Sequence, residues 1–224
     1  MQSSLVSRWL AEFLGVAGIV ATVIGASHMA SDLSSTADMG LLINAVATGA
    51  VLFTLITIFA SVSGSHFNPA VTLVFYLRRE ISLTDSLAYL SAQFAGGVFG
   101  AVTANLMFGR LPVGPSSNVR EGLGLYLGEM VATIGLILLI LLLVQQQKTS
   151  VIPAAVAGWI VAGYFFTSST SFANPAVTFG RAFSDAGGSI AWESVPGFIA
   201  AQILAALTAA LVFKLIFQTK REDQ

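Results

Sequence analysis

The chain has 224 residues, of which 55% are hydrophobic and only 9% are charged, and its formal net charge at pH 7 is −1. Soluble domains carry about 25% charged residues, so this composition excludes an ordinary water-exposed globule and indicates an integral membrane protein. The absence of Cys, the presence of only two His and the near-neutral charge argue against disulfides, a metal site, a cofactor and a nucleic-acid partner.

Uncharged stretches predict where the chain crosses the membrane. They run over 13–31, 39–77, 86–109, 130–147, 149–180 and 194–213. A spanning helix needs about 20 apolar residues, so most of these stretches fit one helix each. The second and fifth stretches are too long for one span and too short for two spans with a loop.

Both long stretches contain the motif Asn-Pro-Ala-Val-Thr. Its first three residues are Asn68, Pro69 and Ala70 in one copy and Asn174, Pro175 and Ala176 in the other. Asn is a favourable helix N-cap and Pro suits the first helical position, so a helix is expected to begin at each copy. Gly, Ser and Thr residues precede each copy, and such a break at membrane depth must be buried in protein or line a cavity. The sequence therefore predicts two re-entrant half-helices in addition to six full spans.

The same order of features occurs in both halves of the chain. Glu12 and Gln93 flank the first motif copy, and Glu129 and Gln202 flank the second. Since each unit contains three spans, an odd number, the second unit must be inverted relative to the first.

The predicted fold is therefore an all-α membrane protein with six transmembrane helices and two re-entrant half-helices in two inverted repeats. We expect a single domain over 1–224, with one repeat over approximately 5–108 and the other over approximately 122–217.

The placement of Lys and Arg predicts the orientation in the membrane. The richer side holds Arg8, Arg78, Arg79, Lys148, Lys220 and Arg221, and the other side holds Arg110, Arg120 and Arg181. Because the side richer in Lys and Arg is normally cytoplasmic, we expect both termini inside the cell. The short loops favour a bacterial inner membrane.

Inversion would bring the N-termini of the two half-helices together near the middle of the bilayer. Each N-terminus presents unpaired N–H groups and a partial charge of about +0.5, and the amides of Asn68 and Asn174 would add donors. Such a tube lets neutral hydroxylated solutes exchange hydrogen bonds and repels cations.

The string Ser-Gly-Ser-His-Phe-Asn-Pro-Ala-Val-Thr at 63–72, the second motif copy and the repeated Glu resemble the aquaporin and aquaglyceroporin (major intrinsic protein) family. The resemblance covers nearly the whole chain. It implies a right-handed six-helix pore, passive conduction and a homotetramer with four pores. It also implies that Glu12 and Glu129 buttress the re-entrant loops, and we expect His66 to line the cytoplasmic vestibule.

One position departs from the family's pattern. The residue after the second Asn-Pro-Ala is usually an Arg of the outer selectivity filter, and here it is Val177. Counting along the sequence places Thr48 at the filter position of the second helix, where water-selective members typically carry a bulky aromatic residue. Ser171 falls at the loop position whose backbone carbonyl lines the filter.

Two further filter assignments stay open at this point. The fifth-helix position is Ala162 by ungapped counting, whereas a shortened loop brings Phe165 or Tyr164 into register, and Phe165 is the candidate carried forward. Arg181 lies one helical turn after Val177. We expect it to cap or anchor the half-helix, with partial substitution for the missing Arg as the alternative.

A filter with Val and Thr in these positions is wider and less polar than one with Arg and an aromatic residue. We therefore predict a passive channel for small uncharged solutes, with or without water: glycerol-like polyols, urea, or metalloid hydroxides such as arsenous acid. The alternatives are a water-selective aquaporin and a secondary active transporter, which would need coupling-ion ligands. An enzyme is not expected, because the sequence offers no nucleophile–base pair or metal set.

Overall fold

The computed structural model describes residues 3–33 and 35–218, and the regular structure in these residues is helical, without a β-strand. The predicted cytoplasmic residues Lys220 and Arg221 lie outside the described residues. The α-helices are α1 (Leu5–Asp32), α2 (Ala37–Ser63), α3 (Pro69–Leu77), α4 (Leu83–Met107), α5 (Leu123–Gln145), α6 (Ile152–Phe166), α7 (Pro175–Arg181) and α8 (Val195–Gln218). Short 3₁₀ turns at Thr149–Val151 and Trp192–Ser194 precede α6 and α8.

Six helical segments are long and apolar enough to cross a membrane. They are α1, α2, α4, α5, α6 with its preceding 3₁₀ turn, and α8 with its preceding turn. Helices α3 and α7 have only 9 and 7 residues, and each begins at the Pro of a motif copy. The prediction of six spans and two half-helices is confirmed.

The half-helices lie inside the bundle of long helices. Helix α3 packs against α4 and α8, and α7 packs against α1, α4 and α8. Ala70 and Val74 on α3 belong to a buried cluster with Ile137 on α5 and Ala206 on α8. Each half-helix therefore contacts long helices from both halves of the chain, which brings the two motif copies together.

Helices α1 and α4 pack closely against each other. An added Cβ at Gly96 would overlap with the Phe13 carbonyl, and one at Gly100 would overlap with the Ala17 carbonyl. Small residues at a helix interface let two backbones approach closely in a membrane, where helix association depends on such packing. The spacing of these glycines fixes the position of α1 beside α4.

We expect Gly100→Ala to destabilise the protein by about 1–3 kcal/mol, because the new methyl group must push α1 away from α4. The matched control is Gly158→Ala on α6, where an added Cβ would have no neighbouring atom within 4 Å. Thermal unfolding in detergent should show a lowered Tm for the first variant only. Equal Tm values for the two variants would contradict this account of the α1–α4 contact.

Candidate pore and its constriction

The two re-entrant loops have the same backbone conformation before their motif copies. Ser65 and Ser171, each three residues before the motif Asn, have φ values of 51° and 53°. Phe67 and Ala173, each directly before the Asn, have φ values of 47° and 48°. Left-handed conformations are unfavourable for residues other than Gly, so other contacts must hold these loops in place.

Glu12 holds the first loop from helix α1, where its side chain is fully buried. Its Oε1 accepts hydrogen bonds from Ser63 Oγ at 2.7 Å and from the His66 backbone N–H at 2.9 Å. Its Oε2 accepts from the Phe67 backbone N–H at 2.6 Å and from Gln93 Nε2 at 2.7 Å. The carboxylate therefore pairs the backbone N–H groups of the residues that immediately precede the first motif copy.

Glu129 makes the corresponding contacts with the second loop. It is fully buried on α5, and its two oxygens accept from the backbone N–H groups of Phe172 at 2.9 Å and Ala173 at 2.8 Å. Gln202 on α8 donates to the same carboxylate at 2.5 Å. Both acidic side chains thus accept hydrogen bonds from backbone N–H groups of the loops.

Gln93 and Gln202 have a role that the sequence did not indicate. Each amide donates to the Glu of its own half and also to the motif Thr, Thr72 at 3.1 Å and Thr178 at 2.9 Å. Each Gln therefore links the loop carboxylate to the first turn of the half-helix. The only sequence signal was their matched position in the two halves.

Asn68 and Asn174 connect the two loops to each other. Each Oδ1 caps its own half-helix, accepting from the backbone N–H of Ala70 at 2.9 Å and of Ala176 at 3.0 Å, respectively. Asn68 Nδ2 donates to the Ala173 carbonyl and Asn174 Nδ2 donates to the Phe67 carbonyl, both at 2.7 Å. Each amide thus uses one N–H across the loop interface and retains the second for the cavity that both Asn residues line.

We expect Asn174→Asp to make the pore leak cations at neutral pH. The carboxylate would keep the N-cap acceptor but replace the donor to Phe67 O, and its negative charge would offset the positive half-helix ends. The measurement is liposome conductance. The matched control is Asn118→Asp in the connector between α4 and α5, which also loses a donor to a backbone carbonyl, that of Ala186. A leak in both variants, or in neither, would contradict the electrostatic role of this position.

A central cavity of about 290 Å³ runs beside both motif copies. His66 and Phe75 line it on the side of the first loop, and Thr48, Tyr164 and Val177 line it on the other side. Pro69, Ala70, Pro175 and Ala176 do not line this cavity and are instead buried in the packing behind it. The motif therefore contributes its Asn side chains to the lumen and its Pro and Ala residues to the helix contacts.

Thr48, Tyr164 and Asn44 form a buried polar cluster at one end of the central cavity. Tyr164 OH donates to Asn44 Oδ1 at 3.0 Å, and Thr48 Oγ1 lies 3.0 Å from Tyr164 OH. Thr48 Oγ1 also donates to Asn44 Oδ1 at 3.3 Å. Asn44 in turn donates to the Val23 carbonyl on α1 at 2.9 Å. Tyr164 also lines a second cavity, so the cluster, which joins α1, α2 and α6, lies at the constriction between the two cavities.

The assignment of Phe165 to the filter is wrong. Phe165 is 53% exposed on the outside of α6 and does not line the central cavity, and Ala162 is exposed as well. Tyr164 is 4% exposed and lines the cavity beside Thr48. Neighbouring residues on a helix point about 100° apart. An error of one position therefore assigns to the lumen a residue that lies on the outer surface.

Val177 and Ser171 both line the central cavity near this cluster. Val177 is buried on the first turn of α7, and its backbone N–H donates to Asn174 Oδ1 at 3.2 Å. The Ser171 backbone N–H donates to Thr167 Oγ1 at 3.1 Å, while its buried Oγ has no hydrogen-bond partner among the described residues. The position behind the second Asn-Pro-Ala thus presents an aliphatic side chain to the lumen.

Arg181 is 2% exposed at the end of α7 and lines both the central cavity and a second cavity beyond the constriction. Its Nε donates to the Gly188 carbonyl, and its Cζ lies 3.4 Å from the centre of the Phe172 ring. These contacts anchor α7, as the sequence suggested. The same guanidinium nevertheless borders the lumen, which the sequence offered only as the alternative.

Arg120 lies beside Arg181 at the second cavity. Its Cζ is 5.2 Å from the centre of the same Phe172 ring, and its Nε donates to the Ser189 carbonyl at 2.9 Å. Burial lowers the pKa of Arg120, because removal from water disfavours the charged form. The sequence gave no sign that this connector residue approaches the second half-helix.

The sequence matches the family model described as "Major intrinsic protein" over residues 1–171, which ends just before the second motif copy. It is 41% identical to the aquaglyceroporin AqpS of Rhizobium meliloti over 217 residues, which are 97% of this chain and 93% of that protein. It is 30% identical to aquaporin TIP1-2 of Zea mays over 205 residues, which are 87% of this chain and 78% of that protein.

The fold is also that of a solved member of the same group. The X-ray structure of the aquaglyceroporin from Plasmodium falciparum superposes with a TM-score of 0.78 at 19% sequence identity, covering 96% of this chain and 98% of that one. At this identity the likeness concerns the fold alone. Together with the family model and the identity to AqpS, it leads to one conclusion: the chain belongs to the major intrinsic protein family.

Proposed function

We propose that this protein is a passive channel that conducts small neutral solutes across a membrane. The observation that carries the proposal is the meeting of the two half-helix N-termini, where Asn68 and Asn174 face one cavity. The family consists of channels and not of enzymes.

The proposed solutes are glycerol-like polyols, urea and metalloid hydroxides such as arsenous acid, with or without water. Thr48 and Val177 are small side chains at the lumen, and most of the residues around the central cavity are apolar. The carbon backbone of a polyol can contact apolar walls, while its hydroxyls exchange hydrogen bonds with the two Asn amides and with Tyr164 OH. The relatives named aquaglyceroporins favour the same class of solute.

The proposed site residues have different roles along the solute path. Asn68 and Asn174 supply donors at the centre, with His66 lining the vestibule on the side of the first loop. Thr48, Ser171 and Val177, joined by Tyr164 in place of Phe165, border the filter. Glu12 and Glu129 hold the loops and do not touch the lumen.

The chain is a multi-pass membrane protein, and its proposed arrangement in the membrane follows the charges. The pair Arg8–Asp85 lies at the end of the bundle that also carries Arg78. The pair Arg110–Asp32 lies at the other end, where Asp32 is the last residue of α1 and Arg110 belongs to the connector after α4. We assign the first end to the cytoplasm, with both termini inside, in a bacterial inner membrane. The two inverted repeats and the homotetramer remain part of this proposal.

Two other functions make different predictions for transport. A water-selective aquaporin would pass water and exclude glycerol. A secondary active transporter would need titratable or ion-binding side chains on the solute path, and Glu12 and Glu129 are instead fully buried and bonded to the loops.

The test is stopped-flow light scattering of proteoliposomes with water, glycerol, urea and arsenous acid. We expect the glycerol permeability to be well above that of empty liposomes. The permeability to at least one of urea and arsenous acid should also exceed that of empty liposomes. Water permeability without glycerol permeability would favour the water-selective alternative. A mercurial reagent should not block the flux, because the sequence contains no Cys.

A further inference from the structure

The second cavity has a volume of about 340 Å³ and lies next to the constriction. Its described lining contains two Arg residues and no Asp or Glu. The other polar residues that line it are Ser27, Ser31, Ser35, Thr36, Asn44, Tyr164 and Thr170. A cavity with two cations, many hydroxyl groups and no carboxylate among its described residues has an excess of hydrogen-bond donors and of positive charge.

Arg181 provides the strongest of these donors. Arg181 is only 2% exposed. Nε is the one guanidinium nitrogen that donates to a described residue, and its acceptor is the Gly188 carbonyl. Its two Nη groups therefore have no acceptor within the described protein, although they belong to a residue that lines two cavities. A buried cation without a paired anion is costly, so an acceptor from outside the protein would stabilise it.

Arg120 adds a second charge close to the first. Both guanidinium groups lie on the ring of Phe172, and Arg120 Nη2 makes only a long contact of 3.5 Å with the Gly187 carbonyl. Nearby carboxylates are engaged elsewhere: Glu129 with the loop N–H groups and Asp185 with Ser117.

We propose that the second cavity is a binding site for a small oxyanion, held by the guanidinium groups of Arg181 and Arg120 and by the neighbouring hydroxyls. The planar fork of an Arg side chain matches the spacing of two oxygens on such an anion. Arg181 and Tyr164 border both cavities, so a bound ion stands across the route of neutral solutes. The mostly apolar central cavity does not solvate the ion further, and we expect the oxyanion to block conduction instead of passing through.

The direct test is equilibrium binding of radiolabelled inorganic phosphate to the purified full-length protein at low ionic strength. We expect saturable binding of one phosphate per chain, displaced by unlabelled sulfate. Arg120→Gln and Arg181→Lys should weaken it by at least about tenfold, because each removes charge-assisted hydrogen bonds. Arg110→Gln is the matched control, since Arg110 pairs with exposed Asp32 at the same end of the bundle and does not line the cavity.

Absence of saturable binding, or equal binding by wild type and Arg120→Gln, would overturn the proposal. If Arg181→Lys fails to fold, Arg120→Gln alone decides the test, because Arg120 belongs to the connector between α4 and α5 and not to a helix of the bundle. A second readout is glycerol flux. External phosphate should reduce the flux through the wild-type protein and leave the flux through Arg120→Gln unchanged. Wild-type flux that is unaffected by saturating phosphate would overturn the placement of the ion across the solute path. The binding assay does not depend on conduction. A protein that binds phosphate but does not conduct glycerol would therefore contradict the proposed channel function and not the proposed oxyanion site.

Discussion

Val177→Arg should lower glycerol permeability by at least about tenfold, which corresponds to about 1.4 kcal/mol in the barrier to conduction. Val177 is buried on the first turn of α7 and lines the central cavity, as does Arg181 one helical turn later. A second Arg here would fill the lumen beside Thr48 and add a like charge to a positive constriction. Stopped-flow shrinkage of proteoliposomes in a glycerol gradient measures the effect.

The matched control for this variant is Val177→Thr, which has nearly the same volume and no charge. We expect its glycerol permeability to stay within about twofold of wild type, because the size of the opening is unchanged. Protein content and Tm must be compared, since a misfolded variant would also lose flux. Unchanged glycerol flux in a folded Val177→Arg protein would show that position 177 does not limit solute size.

Glu12→Gln and Glu129→Gln should each destabilise the protein by about 3 kcal/mol or more, because about 1–3 kcal/mol is lost for every buried group left without a partner. In Glu12, both carboxylate oxygens accept from loop donors, including the backbone N–H groups of His66 and Phe67. A Gln amide offers only one acceptor and points an N–H group at other donors. The measurement is unfolding in mixed detergent and SDS, followed by the change in helical signal.

Flux should fall together with stability in these two variants, since the loops present the motif Asn residues. Glu193→Gln is the control, because it makes the same chemical change at an exposed position beside α8. Wild-type stability in Glu12→Gln would contradict the account in which the carboxylate holds the loop. A loss in Glu193→Gln of similar size would show that net charge, and not the buried contact, is responsible.

The half-helices could be predicted because their information is local. Asn68 and Asn174 cap the first turn, and the Pro that follows each of them needs no donor. Because the flanking segments carry no charges, they lie at membrane depth. The non-helical residues before each motif copy must then be buried in protein or line a cavity. Six spans followed from the same reasoning, since charged residues at the helix ends interrupt the apolar segments.

The filter could be predicted only in part, because helix register depends on loop geometry that the sequence does not express. Tyr164 lies three residues before the loop that begins at Thr167, and that loop contains several left-handed residues whose effect on the count is not visible in the sequence. Ungapped counting through it led to Ala162, and allowance for a shortened loop led to Phe165 or Tyr164, of which Phe165 was carried forward. Thr48 could be placed because it lies on one continuous helix, α2, that leads to the first loop.

Long-range polar contacts were beyond the reach of pattern analysis. Asn44 joins Thr48 to α1, and Arg120 reaches the Phe172 ring from an irregular connector. Neither residue has a periodic signal or a matched copy in the other half. The two Gln residues had a matched copy, which marked them as related without indicating their partners.

The central claim is that neutral solutes larger than water pass through this protein by diffusion. The most direct measurement is the initial rate of glycerol uptake by wild-type proteoliposomes over a wide range of glycerol concentrations, with and without proton and sodium gradients. A passive pore predicts a rate that rises in proportion to concentration, depends weakly on temperature and is unaffected by either gradient. Saturation together with dependence on an ion gradient, or a rate equal to that of empty liposomes, would contradict it.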